Sequence, residues 1–315
     1  MPDTRRIDVH SHPSPPSYLA ARNERDRSYI WQQNWTLSAL LEDMDKSAVA
    51  TTMLSLPHSI QAFPGDRMEA RGLARDWNEY MTKLSVDHPG RFGVFAALPI
   101  LDMDGCLREI EYAYDTLKAD GICLMTSIGD KWLGDAYYVP IFEEINRRGG
   151  IIYTHPVAPT CCRDLLEGIN DSLIEYNTDT TRAITQVLFS GMAGRFPNIR
   201  FIWSHGGGTF PYLVGRFLRH YGRASAEIKA SMPGGLLAAL NRFYYDTANS
   251  AQPYTMASFR KVIQISQILF GTDYPYASAS EIVRGLDECG FTDAELRAIN
   301  YENAERLLPR LKSSR

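Results

Sequence analysis

Ile7-Asp8-Val9-His10-Ser11-His12 decides how this 315-residue chain is read. A short apolar run carries straight into two histidines at i and i+2. On an extended backbone those side chains leave from the same face. Two imidazoles side by side at a strand end are placed to grip one divalent cation. The context recurs in Ile151-Ile152-Tyr153-Thr154-His155, in Phe201-Ile202-Trp203-Ser204-His205 and in Ile268-Leu269-Phe270-Gly271-Thr272-Asp273. Each is a hydrophobic run ending on a histidine or an aspartate, and the repetition reads as a metalloenzyme.

Around these runs, short apolar segments alternate with longer amphipathic ones. Strands are predicted at Ile7–His10, Thr51–Leu56, Phe92–Leu98, Gly121–Met125, Gly150–His155, Arg200–His205, Phe243–Thr247 and Ile268–Gly271. Between them, Leu37, Leu40, Leu41 and Met44 keep helical spacing behind Thr36, a suitable N-cap. Further helices are expected over Met68–Val86, Leu107–Leu117, Tyr138–Arg148, Thr178–Phe196, Phe210–Tyr221, Tyr254–Ile263 and Ala279–Cys289. Eight strands, each followed by a helix, spell an α/β fold, the (β/α)8 or TIM barrel. No composition break divides residues 1–315, so a single domain is expected, with loop insertions at Ser14–Trp35, Pro156–Tyr176 and Gly222–Leu240. The first two insertions follow strands, at the face where barrel active sites are built. The third precedes the seventh strand and suits either a lid or an oligomer contact.

Hydrophobic residues make up 44% of the chain, ample for a large core. The net charge of −4, with Lys and Arg scattered, argues against nucleic acid or an anionic membrane as partner. No apolar run approaches the roughly 20 residues of a membrane span. The start Met1-Pro2-Asp3-Thr4-Arg5-Arg6 lacks a signal-peptide core. Five cysteines without a Cys-x-x-Cys pair suit reduced thiols and a cytoplasmic protein. The adjacent Cys161-Cys162 reads as an incidental loop pair rather than as ligands.

In a barrel, His10, His12, His155, His205 and Asp273 all converge on the C-terminal mouth. Three neutral imidazoles and one carboxylate leave a divalent cation with net positive charge and an open position, which is the arrangement of a catalytic site. The fourth strand, Gly121-Ile122-Cys123-Leu124-Met125, carries no lysine at its tip to bridge a second cation, so one metal per chain is expected. His58, His88 and His220 read as loop and helix residues outside this set.

With these residues in view, His10-x-His12, His155-Pro156, Ser204-His205-Gly206-Gly207 and Gly271-Thr272-Asp273-Tyr274-Pro275 resemble the amidohydrolase superfamily, in its amidohydrolase-2 branch. That branch includes aminocarboxymuconate-semialdehyde decarboxylase and aromatic-acid decarboxylases. Connecting stretches such as Asp87-His88-Pro89-Gly90-Arg91-Phe92, Trp132-Leu133-Gly134-Asp135 and Asp179-Thr180-Thr181-Arg182-Ala183 resemble the 6-methylsalicylate decarboxylase type. The resemblance spans essentially the whole chain. It implies His10, His12, His155 and Asp273 as ligands of zinc or manganese, and the ligand types make zinc the first choice and manganese the second. It places His205 just outside direct ligation, moving protons, and it implies a homodimer, with Gly222–Leu240 a candidate contact.

The first loop departs from the muconate enzyme. Tyr29-Ile30-Trp31-Gln32-Gln33-Asn34-Trp35 stands where an arginine-bearing segment for a dianionic substrate would be expected. Aromatic residues there suit a flat, singly charged aromatic acid. The expected reaction is therefore non-oxidative decarboxylation of a hydroxybenzoate of the salicylate type. Its ring would lie against Trp31, Trp35 or Tyr276, Asp273 would protonate the ring carbon, and His205 would relay protons. Arg182 is a candidate anchor for the substrate carboxylate by its bidentate geometry, but an exposed helix arginine explains it better. The alternative is a single-metal hydrolase of a lactone or amide of a small aromatic or dicarboxylic acid, with Asp273 as general base.

Overall fold

The computed structural model describes residues 5–16, 35–56 and 67–312. Eight strands form one sheet in chain order: β1 (Arg6–Ser11), β2 (Val49–Leu54), β3 (Phe92–Ala96), β4 (Gly121–Met125), β5 (Ile151–His155), β6 (Arg200–Trp203), β7 (Tyr244–Asp246) and β8 (Ile268–Leu269). Each pairs in parallel with the next. The residues after β8 close the circle on β1: Val9 N donates to Phe270 O at 2.9 Å, Asp273 N to His10 O at 2.9 Å and His12 N to Tyr274 O at 2.8 Å. The result is the expected (β/α)8 barrel.

Strand alternation builds two apolar layers. Cys123, Met125, Ile151, Tyr153, Ile202 and Leu269 pack together in the lumen, while their neighbours Ile122, Leu124, Ile152, Phe201, Trp203 and Ile268 pack outward against the helices. Burial on both faces is why these strands read as unbroken apolar runs rather than as alternating ones. Ala304, Leu307 and Leu308 join the luminal cluster and close it off.

A main helix follows each strand: α1 (Leu37–Lys46), α2 (Arg67–Asp87), α3 (Met103–Asp115), α4 (Val139–Arg148), α5 (Glu175–Phe189), α6 (Phe210–Gly222), α7 (Pro253–Phe259) and α8 (Ala279–Glu288). Thr36 caps α1 as expected, its Oγ1 accepting from Ala39 N at 3.1 Å. The strands at Phe92 and Tyr244 are shorter than predicted, because the chain leaves the ladder early to form the mouth loops. The helix predicted over Thr178–Phe196 is broken. α5 stops at Phe189, and a separate turn, Met192–Arg195, starts after Gly191, whose φ of 81° no straight helix accommodates.

The Gly222–Leu240 insertion is no lid. A helix that follows a parallel strand runs back to the opposite end of the barrel, so α6 delivers this segment to the base of β7. There it forms two short helices, Ala226–Ala230 and Leu236–Leu240, and buries Met232, Leu236, Ala239 and Leu240 in the outer core. Among the described residues, no helix is long and apolar enough to cross a membrane.

Candidate metal centre and cavity

The ends of β1, β5 and β8 bring together His10, His12, His155 and Asp273, four buried side chains whose nearest ligand atoms all lie within 4.8 Å of one another. In β1 this needs an irregularity. Val9 packs in the luminal cluster, and its neighbour His10 also reaches the lumen, its ring 5.4 Å from that of Tyr153. Strict alternation forbids two successive residues on one face. The register of β1 against β2 shifts between Asp8 and Ser11, and such a shift re-aims the side chains beyond it. Asp8 fixes the kink, its Oδ1 accepting from His10 N at 2.9 Å and from Thr272 N at 3.0 Å.

Each imidazole is locked by the atom behind it. His12 Nδ1 lies 3.1 Å from Ser55 O and His155 Nδ1 lies 3.0 Å from Pro156 O, and a carbonyl can only accept. His10 Nδ1 lies 2.8 Å from Asp246 Oδ2. All three rings therefore carry a proton on Nδ1, which leaves Nε2 free to turn a lone pair toward a bound cation. His10 Nε2 and His12 Nε2 end up 2.9 Å apart. Two lone pairs at that distance repel unless a positive charge sits among them.

Asp273 supplies the complement. Its Oδ1 is 3.2 Å from His10 Nε2 and 3.1 Å from His12 Nε2, and this buried atom has no hydrogen-bond partner. A bare carboxylate oxygen facing bare ring nitrogens is what a divalent cation satisfies, so the donor set fits one. The electrostatics agree. Burial disfavours charge on His10, but Asp246 and Asp273 outweigh it and raise its pKa to about 10. Burial holds His12 low and His155 lower still, with the neighbouring imidazoles adding to the effect. Burial also opposes charge on Asp273, yet the imidazoles around it, His10 first, hold it well below the usual carboxylate range. The pocket's carboxylates thus call for positive charge at the point where the three Nε2 atoms meet.

The other oxygen of Asp273 faces different company. Oδ2 accepts from Asn249 Nδ2 at 2.7 Å and lies 3.2 Å from His205 Nε2. His205 stands beside the ligand cluster rather than in it, its ring 5.1 Å from His10 and 5.6 Å from His155. The two oxygens of the carboxylate thus face different neighbours, Oδ1 the imidazoles of His10 and His12 and Oδ2 the side chains of Asn249 and His205. Asp246 joins the parts: Oδ2 holds His10, while Oδ1 accepts the backbone N–H of His205 at 2.8 Å and of Ala248 at 3.1 Å.

Above this floor opens a cavity of about 440 Å³, lined in part by Asn170, Ser172, Leu173, Tyr176, Asn177 and Tyr276. That size suits a small ligand. Tyr276, singled out in the sequence, is there, its ring 6.1 Å from His12. Tyr176 lines the cavity from α5, its ring 6.2 Å from that of His155. Trp35 packs instead against the outer core, and Trp31 lies outside the described residues. Arg182 does not line the cavity. Its guanidinium is 3.6 Å from Glu175, donates to Cys162 Sγ at 3.6 Å and lies over the Trp132 ring.

The match to the amidohydrolase family model runs over residues 7–310. The chain belongs to this family. It is 33% identical to the 6-methylsalicylic acid decarboxylase of Penicillium expansum, over 98% of this chain and 97% of that protein. Its fold matches the 2,6-dihydroxybenzoate decarboxylase of Rhizobium with a TM-score of 0.84 at 22% identity, covering 98% of this chain and 99% of the other. It also matches a dihydroxybenzoic acid decarboxylase of Polaromonas solved with manganese and the inhibitor 2-nitroresorcinol. There the TM-score is 0.82 at 21% identity, covering 98% of each chain.

The cation-free chain is expected to take up one equivalent of zinc or manganese, measured by elemental analysis after loading and desalting. Two equivalents would overturn the single ligand set. Asp246→Ala, which unties His10 Nδ1, should weaken cation affinity roughly 10–100-fold. Competition against a chromophoric chelator reads this out, and wild-type affinity in the variant would reduce Asp246 to an organiser of the β7 loop.

Proposed function

We propose that the chain is a cation-dependent, non-oxidative decarboxylase of a small 2-hydroxybenzoate-type acid, with 6-methylsalicylate the first candidate. The observation that carries this is the divided Asp273 carboxylate on the cavity floor: one oxygen bare toward three imidazoles, the other beside His205. The relative that matches over 98% of the chain supports the substrate class. Three nitrogen donors and one carboxylate favour zinc, while the Polaromonas structure makes manganese the alternative to test.

As a carboxy-lyase of the amidohydrolase superfamily, the chain must protonate the ring carbon that bears the carboxylate before CO2 can leave. Held by His10, His12, His155 and Asp273, the cation would keep the substrate phenol ionised and so enrich that carbon in electron density. Tyr176 and Tyr276 wall the cavity, and their aromatic rings suit a flat substrate. Asn170, Ser172 and Asn177 offer neutral hydrogen bonds to a single carboxylate, and Leu173 offers apolar contact to a ring substituent. The Asp273 Oδ2 atom accepts from Asn249, so the proton it passes to the ring has to come from His205 Nε2. The carbon–carbon bond then breaks, its electron pair restores aromaticity, and CO2 departs.

A panel of 2-hydroxybenzoates and aromatic lactones, assayed for CO2 and for new acid, tests this. CO2 release from carboxylated phenols is expected. Lactone opening with no CO2 from any of them would transfer the site to the hydrolase reading.

A further inference from the structure

Nothing in the sequence singles out Asn249, yet it occupies the junction of the site. It follows β7 in the turn Thr247–Gln252, is exposed to the cavity, and donates Nδ2–H to Asp273 Oδ2 at 2.7 Å. Its backbone is in the left-handed region, with φ of 52°. Among the described residues six non-glycine positions have positive φ, and three of them are His205, Asn249 and Asp273. These three share one hydrogen-bonded carboxylate. Sparsely populated backbone conformations persist where the surroundings over-determine them, and they cluster at functional sites.

A carboxylate turns easily about its terminal torsion. Left untied, Asp273 is free to turn both oxygens toward the imidazoles, leaving none for proton transfer. His205 is a poor tether, because at 3.2 Å it holds Oδ2 loosely and its proton is meant to move. The Asn249 amide carries no mobile proton and sits closer.

We propose that Asn249 is a positioning residue: its amide N–H pins Asp273 Oδ2 on the cavity side, committing Oδ1 to the cation and Oδ2 to the proton path with His205. This rests on the cation-dependent decarboxylase reading, and one arm of the test does not. Asn249→Gly removes the amide while tolerating positive φ, and Asn249→Asp keeps the shape but replaces the donor with an acceptor. Under chelator, both variants are expected to melt within a few degrees of wild type. Asn249→Gly should lose roughly 10–100-fold in manganese affinity, measured by competition with a chromophoric chelator. At saturating manganese, kcat for 6-methylsalicylate should fall by a similar factor in both variants, with KM little changed. Wild-type affinity and wild-type kcat in Asn249→Gly would reduce Asn249 to a turn residue and overturn the proposal. A wild-type chain that releases no CO2 from any hydroxybenzoate would overturn the decarboxylase reading, while the affinity arm would still decide the role of Asn249.

Discussion

Asp273→Asn is expected to abolish CO2 release, by about 10⁴-fold, the upper end for a lost proton-transfer group. The geometry leaves the amide no good orientation. With its oxygen toward His10 and His12, its NH2 faces the Asn249 donor at the 2.7 Å position and His205 at the 3.2 Å position. Turned the other way, its NH2 is placed among the Nε2 atoms that lie 3.2 and 3.1 Å from Oδ1, where it obstructs a cation. Cation affinity should therefore fall as well, and the comparison belongs at cation concentrations that fill the variant. Under those conditions a hydroxybenzoate should still bind, detected by calorimetry. Neither CO2 release nor exchange of the ring hydrogen with deuterated solvent should be seen. Robust ring-hydrogen exchange in Asp273→Asn would show that another group protonates the ring.

The candidate ligands were legible because each ends an apolar run, and a barrel gathers strand ends at one mouth. That rule gathered His10, His12, His155, His205 and Asp273; the family resemblance set His205 apart, and the other four are the ones whose ligand atoms cluster. What fixes them was harder to see. The acceptors behind His12 and His155 are backbone carbonyls of Ser55 and Pro156, and a carbonyl leaves no mark in a sequence. Asp246 did leave one, a carboxylate at the end of the run Phe243-Tyr244-Tyr245, in the same context as the ligands. Asn249 and the cavity residues Asn170, Ser172 and Leu173 come from irregular loops, where no periodicity reports which way a side chain turns. Arg182 shows the limit of reading a charge alone. Its charge offered a carboxylate anchor as the second reading behind an exposed helix arginine, and on α5 it faces Glu175 and Trp132.

His205→Ala should behave differently from Asp273→Asn, and the contrast separates holding the cation from moving the proton. His205 contributes none of the four clustered ligand atoms, and its structural bond to Asp246 runs through the backbone N–H, which survives truncation. One equivalent of cation should therefore remain, with affinity close to wild type. Turnover should fall by roughly 10²–10⁴-fold, since Asp273 Oδ2 loses the group that resupplies its proton. His205 sits at φ of 53°, where alanine is strained. His205→Asn, which tolerates that backbone, is the matched control and should lose as much. Equal losses in the two variants, with the cation retained, place the defect in proton transfer. Loss of the bound cation in His205→Asn would instead make His205 a ligand and redraw the coordination set.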